Sequence, residues 1–203
     1  MNAVEFEKEN SALLIIDMQN AFVHPEGSLA SMGLDTSKTR KVVEPIRQLR
    51  EAFKAKKRPV IYIQHTHQTH SDSGLVAKVF PSIMDIEHCV EGTWDSEIVN
   101  DLTPDTSDFI ITKHQGDDLH LKQSTRLLQQ LGIENLVVTG VSTNFYLEST
   151  VKGAFTQDLN VFVPEEAATS YRLEKGVTRN FDLGYAQVVK VKDLLYDMLM
   201  LVI

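Results

Sequence analysis

Short unbroken apolar runs alternate along the chain with stretches whose apolar residues return every three or four positions. Ala12-Leu13-Leu14-Ile15-Ile16 is the first run, the pattern of a strand buried on both faces, and it stops at Asp17. Pro25, Gly27 and Gly33 mark a loop. Val42, Val43, Ile46, Leu49, Arg50 and Phe53 then recur at helical spacing, with the long arginine stem compatible with such a stripe. Asp35 or Ser37 is placed to cap this helix, and Pro45 predicts that its regular part starts late. Pro59-Val60-Ile61-Tyr62-Ile63 predicts a second strand, which empties into Gln64-His65-Thr66-His67-Gln68-Thr69-His70. A polar stretch broken by Gly74, Pro81, Gly92 and Pro104 follows to about residue 107, and loops of that length usually carry function or short helices. Residues 109–112 predict a third strand ending at Lys113, and 122–131 a helix. Residues 135–139 predict a fourth strand closed by Gly140, and 144–157 a helix. Residues 161–163 and 187–191 predict two further strands, and 192–203 a last helix.

Strands alternating with helices predict a six-stranded, mostly parallel sheet with helices on both faces. Ligands of such sheets bind beyond the carboxyl ends of the strands, where Asp17, His65, Lys113 and the Gly140 turn all fall. The length of 203 residues fits one domain, 1–203, with no repeat or linker inside it. A composition of 42% hydrophobic and 24% charged residues is that of a soluble globular chain. The net charge of -8 lacks the basic footprint of a nucleic-acid binder, so no nucleic-acid partner is expected. Residues 1–10 contain no apolar signal-peptide core, and the apolar run 198–203 is far short of the roughly 20 residues that span a bilayer. The expectation is a cytoplasmic protein with no membrane partner.

Candidate chemistry follows from placement. Asp17 and Lys113 each directly follow an apolar strand, and if those strands are neighbours the two side chains meet, either as an ion pair at the sheet rim or as a catalytic pair. His65, His67 and His70 form an H-x-H-x-x-H cluster in which His65 and His67 point to one side of an extended segment, a spacing that suits a metal as well as a solvated loop. The segment from Thr139 to Asn144 joins a strand to a helix, where its amides are placed to hold an oxyanion, or where Ser142 or Thr143 simply caps the helix. Cys89 is the only cysteine, which excludes an intrachain disulfide and a multi-cysteine zinc site. It lies in the long loop beside His88, away from any strand end, and is read as structural.

Taken together, Leu14-Ile15-Ile16-Asp17-Met18-Gln19-Asn20-Ala21-Phe22, the stretch Cys89-Val90-Glu91-Gly92-Thr93-Trp94-Asp95-Ser96-Glu97, Ile111-Thr112-Lys113-His114 and the segment from Val137 to Thr150 resemble, in order, four motifs of the isochorismatase-like hydrolases, often called cysteine hydrolases. The resemblance covers about residues 11 to 170. It implies a three-layer α/β/α, Rossmann-like fold and a homodimer or homotetramer. It also implies a catalytic Asp17 and Lys113, a pocket that includes Gln19, Phe22 and His65, and a cis peptide at Val141–Ser142 that helps form the oxyanion hole. Tyr146 stands where amide-cleaving relatives carry their nucleophilic cysteine. A phenol with a reference pKa of about 10 is almost wholly protonated at neutral pH and fills space that an acyl intermediate needs. After the lysine, Gly116-Asp117-Asp118-Leu119-His120-Leu121-Lys122 replaces the small-aromatic stretch of many relatives. In nicotinamidases an Asp and a His two residues apart hold a metal, and the aligned pair resembles His65 and His67, so the ligand set is altered; no metal is required, and a divalent metal at His65 and His67 is the less favoured alternative.

The expected function is therefore hydrolysis of a small organic molecule without a thiol, as in isochorismatases, which protonate a vinyl ether. Asp17 is the acid/base and Lys113 tunes it. Tyr146 argues against isochorismate itself. The alternative is an inactive family member serving as a binding or regulatory subunit. Amide hydrolysis through Cys89 would need the long loop to bring that thiol to the Asp17–Lys113 pair.

Overall fold

The computed structural model describes residues 5–68, 78, 86–114, 119–143, 146–171, 181 and 184–200. A single-turn helix, Lys8–Asn10, leads into strand β1 (Ser11–Ile16), followed by the short helices α1 (Asn20–Val23), α2 (Ser28–Ser31) and α3 (Ser37–Lys41). Helix α4 (Val43–Ala55) and strand β2 (Val60–His65) come next, and two single-turn helices, Trp94–Ser96 and Asn100–Leu102, lead to β3 (Phe109–Lys113). Helix α5 (Leu119–Gln130), β4 (Asn135–Val141), α6 (Tyr146–Phe155), β5 (Asn160–Pro164), β6 (Ala168–Thr169), β7 (Gln187–Val189) and α7 (Val191–Leu199) complete the order.

The strands lie in the order β3-β2-β1-β4-β5-β7, with β6 beside the carboxyl end of β4, and every named pairing is parallel. The six expected strands are all present. The added β6 is two residues long, too short to leave an apolar run in the sequence.

Side chains of a strand alternate between faces, so β1 feeds two cores. Leu13 and Ile15 pack with Ile46, Leu49 and Phe53 of α4 and with Leu194 and Met198 of α7. Ala12, Leu14 and Ile16 pack with Leu147, Val151 and Ala154 of α6 on the opposite face. The result is the expected α/β/α sandwich. Pro45 does not delay α4, because it lies in the first turn, where the missing N–H has no intrahelical partner to lose. Asp35 accepts the Ser37 amide at 2.9 Å and so turns the chain ahead of α3 rather than capping α4. Strand β3 departs from the both-faces-buried reading, since it is an edge strand with Phe109 and Ile110 exposed. Among the described residues, no helix is long and apolar enough to cross a membrane.

Candidate active site

The order of strands gathers the carboxyl ends of β1, β2, β3 and β4 at one rim. Asp17 is the first residue past β1. Its amide still donates to Ile63 O at 3.0 Å, and its φ of 53° then turns it out of the strand, a left-handed conformation that aspartate tolerates better than bulkier residues. Lys113 ends β3. The two strands are not neighbours, because β2 lies between them. The side chains meet all the same, Lys113 Nζ to Asp17 Oδ2 at 2.7 Å, because the four-carbon lysine stem reaches across the end of β2. Both side chains are almost wholly buried. Burial pushes the Lys113 ammonium below the usual lysine range, and the Asp17 carboxylate pulls it back up.

Tyr146 opens α6 and lays its ring against this pair. Lys113 Nζ is 3.5 Å from the ring centroid, a cation–π contact, and the same ring stacks on His65 with centroids 5.8 Å apart and planes 29° from parallel. Burial raises the Tyr146 phenol above its ordinary value, and the Asp17 carboxylate adds to that, so the group stays protonated. The turn between β4 and α6 sits beside β1. Gly140 has a φ of 113°, and a Cβ there would lie 2.1 Å from Ile16 O, so only glycine lets the two backbones come this close. The Val141–Ser142 peptide is cis, and Thr143 donates its N–H to Thr169 O at 3.0 Å.

Gln19 is fully buried and works as a clamp. Its side chain donates to His65 O and Ser96 O, each at 2.7 Å, and accepts the His65 N–H at 2.8 Å. It thus fixes the end of β2 to the middle loop. Phe22 sets its ring edge-on to His65, with centroids 6.2 Å apart, and to His88, with centroids 5.4 Å apart. His67 pairs with the middle loop through the backbone, its N–H donating to Cys89 O and its O accepting the Glu91 N–H, both at 2.8 Å. That pairing delivers His88 and Cys89 to the site.

Cys89 therefore comes nearer to the Asp17–Lys113 pair than its loop position suggested, close enough for the charges of both residues to act on its thiol. It is fully buried, and burial first, then the Asp95 and Asp17 carboxylates, hold the thiol well above its ordinary range. A thiol kept protonated is a poor nucleophile, which fits the structural role expected of it.

On the sequence alone no metal was required, and one was possible only through His65 and His67. Their Nε2 atoms are 3.0 Å apart, and His88 joins them, the three buried rings offering nitrogens that all lie within 4.8 Å of one another. His70 lies outside the described residues, as do residues 115–118 of the altered loop after Lys113. Burial drives His65 well below its ordinary pKa, and burial likewise lowers His88 to about 4, so both are neutral and able to donate a lone pair. The Nδ1 of His65 is buried without a hydrogen-bond partner, so the cluster by itself leaves a polar atom unsatisfied. Three converging imidazoles, two of them held neutral by burial, fit a divalent transition metal. His88 escaped the sequence reading because it lies 21 residues beyond His67; its place beside Cys89 in the middle-loop motif was the available signal.

Known structures share this architecture. A cysteine hydrolase from Pseudomonas syringae pv. phaseolicola 1448A superposes with a TM-score of 0.80 at 20% identity, covering 95% of this chain and 94% of that one. N-carbamoylsarcosine amidase from Thermoplasma acidophilum gives a TM-score of 0.73 at 24% identity, with 90% and 96% covered. Pyrazinamidase of Pyrococcus horikoshii, in complex with zinc, gives 0.70 at 20% identity, with 89% and 99% covered. Residues 11–193 match the Isochorismatase domain, and the chain belongs to the isochorismatase family.

Proposed function

We propose that the protein is a thiol-independent hydrolase of a small organic molecule, an organic acid or an enol-type ether, with Asp17 as its acid/base. The buried Asp17–Lys113 pair at 2.7 Å, with the Tyr146 ring against it at the position of the family's thiol, carries this reading. For a vinyl ether, the ion pair first takes up one proton, which makes the Asp17 carboxyl neutral beside the Lys113 ammonium, and that carboxyl then gives its proton to the alkene carbon. Water adds to the resulting oxocarbenium and returns a proton to the carboxylate, and collapse of the hemiketal releases a ketone and an alcohol. Lys113 holds the carboxyl in place and, as the ammonium, favours its charged form when the proton leaves. The vinyl-ether route develops positive charge and makes no use of an oxyanion hole; the turn at Val141 and Ser142 would hold a developing oxyanion only with an ester or amide substrate. A divalent cation held by His65, His67 and His88 would supply Lewis-acid polarisation of a substrate oxygen.

The packing of Tyr146 on both Lys113 and His65 favours a second reading, an inactive family member that binds without turning over. A screen of vinyl ethers, esters and amides separates the two. The expected result is turnover that falls by about 100-fold or more in Asp17→Asn, the size of a general acid/base contribution, and that survives in Cys89→Ala. Turnover on no class would replace the hydrolase by the binding protein, and loss of turnover on thiol alkylation would transfer the chemistry to Cys89.

A further inference from the structure

The hydroxyl of Ser28 and the carboxylate of Asp95 form a buried chain that ends on His88. Ser28 Oγ is 2.6 Å from His88 Nδ1 and 2.7 Å from Asp95 Oδ2. Asp95 is fully engaged, since its Oδ1 accepts the Ser28 N–H at 2.8 Å and its Oδ2 also accepts the Cys89 N–H at 2.8 Å. A carboxylate only accepts, and a serine hydroxyl has one proton to give. That proton is therefore committed to Asp95, and Ser28 Oγ is left as an acceptor towards His88. The contact with His88 is then a donation from the ring, which places the imidazole proton on Nδ1 and the lone pair on Nε2.

The parts of this chain are held from several directions. A Cβ at Gly27 would lie 2.1 Å from Asn20 O, so α1 and α2 pack backbone to backbone just before Ser28. Asn20 Nδ2 donates to Trp94 O at 2.8 Å, which ties the turn bearing Asp95 to α1. Phe22 packs edge-on to the His88 ring, with planes 84° apart, and fixes its orientation.

We infer that Ser28 and Asp95 are positioning residues for a divalent cation: through Ser28, Asp95 locks His88 as the Nδ1–H tautomer and so leaves Nε2 as the nitrogen offered to the site shared with His65 and His67. This rests on the three-histidine metal reading above. Metal-ligating histidines commonly donate their other ring N–H to a carboxylate or carbonyl, and loss of such a partner typically costs about 10–100-fold in metal affinity. Here the carboxylate acts at one remove, through a hydroxyl.

The test uses the whole chain and Co(II), whose visible absorption reports the coordination. Long-range nitrogen–proton correlation spectra of the metal-free wild type are expected to show His88 as the Nδ1–H tautomer, a readout that needs no variant to fold. Co(II) titration is expected to give an affinity about 10–100-fold weaker for Ser28→Ala than for the wild type, with Ser28→Thr, which keeps the hydroxyl, restoring it. An Nε2–H tautomer in the wild type, or Co(II) binding by Ser28→Ala as tight as the wild type's, overturns the relay while leaving the metal site standing. A wild type that takes up no Co(II) overturns the metal site and the relay together.

Discussion

At the scale of single residues, the Asp17–Lys113 pair dominates. Two charges buried together are each stabilised by the other, and removing one partner of such a pair typically costs about 3–5 kcal/mol. Lys113→Met is therefore expected to lower the midpoint of urea unfolding strongly, by far more than an ordinary surface change. The double variant Asp17→Asn/Lys113→Met, which takes away both charges, is expected to recover much of the loss. Equal midpoints for the single and double variants would mean that the carboxylate has another adequate counter-charge. Asp17 and Lys113 were legible in the sequence because each is an ionisable residue set at the end of an apolar run. Their meeting was not legible, since it depends on the strand order and on a lysine stem long enough to pass the end of β2. Tyr146 is read from the sequence as standing at the thiol position, but its contacts with Lys113 and His65 exist only once the start of α6 reaches the rim where β3 and β2 end.

At the scale of elements, the strands that could be read were those whose side chains are buried on both faces, β1, β2 and β4 above all, because double burial leaves an unbroken apolar run. Edge strand β3 gave the same signal for a different reason, as Phe109 and Ile110 are apolar yet exposed. The middle loop was not legible. Its order comes from polar contacts remote in sequence, Gln19 to Ser96, Asn20 to Trp94 and Ser28 to Asp95, which leave no periodicity in the chain. For the same reason His88 and Asp95 could not be placed. The junction of β1 and β4 makes a sharper prediction. Gly140→Ala sets a methyl group 2.1 Å from Ile16 O in a conformation, φ 113°, that side chains rarely adopt. The two central strands would have to separate at the point where Asp17 leaves the sheet. The variant is expected to melt several degrees below the wild type and to lose any turnover that depends on Asp17, whereas Gly132→Ala, with open space around its Cβ, should cost only the strain of its φ. Matching melting temperatures for the two variants would show that the strands separate freely.

At the scale of the whole molecule, the buried histidines couple stability to pH and to metal. His88 titrates at about 4 in the folded chain against an ordinary value of 6.5, and burial shifts His65 in the same direction. Between those values the unfolded chain binds more protons than the folded one, so stability declines as pH drops from about 6.5 towards about 4. A shift of that size for His88 alone corresponds to roughly 3 kcal/mol over the whole window. In chelator-treated protein, His88→Gln is expected to flatten this acid limb in urea titrations repeated across the window; an unchanged slope would assign it to other groups. A metal would act in the opposite sense, because it would bind the unprotonated imidazoles of the folded chain. A cation at about 100 times its dissociation constant adds about 2.7 kcal/mol. For a domain of this size, about 2–4 °C per kcal/mol makes that a rise of roughly 5–10 °C in melting temperature at neutral pH. The rise is expected to persist through the acid limb, to shrink only as the folded His88 takes up its own proton near pH 4, and to vanish in His65→Ala. A melting temperature that zinc does not move at neutral pH, in protein first stripped by chelator, would remove the cation from the site and leave Asp17 and Lys113 as its chemistry.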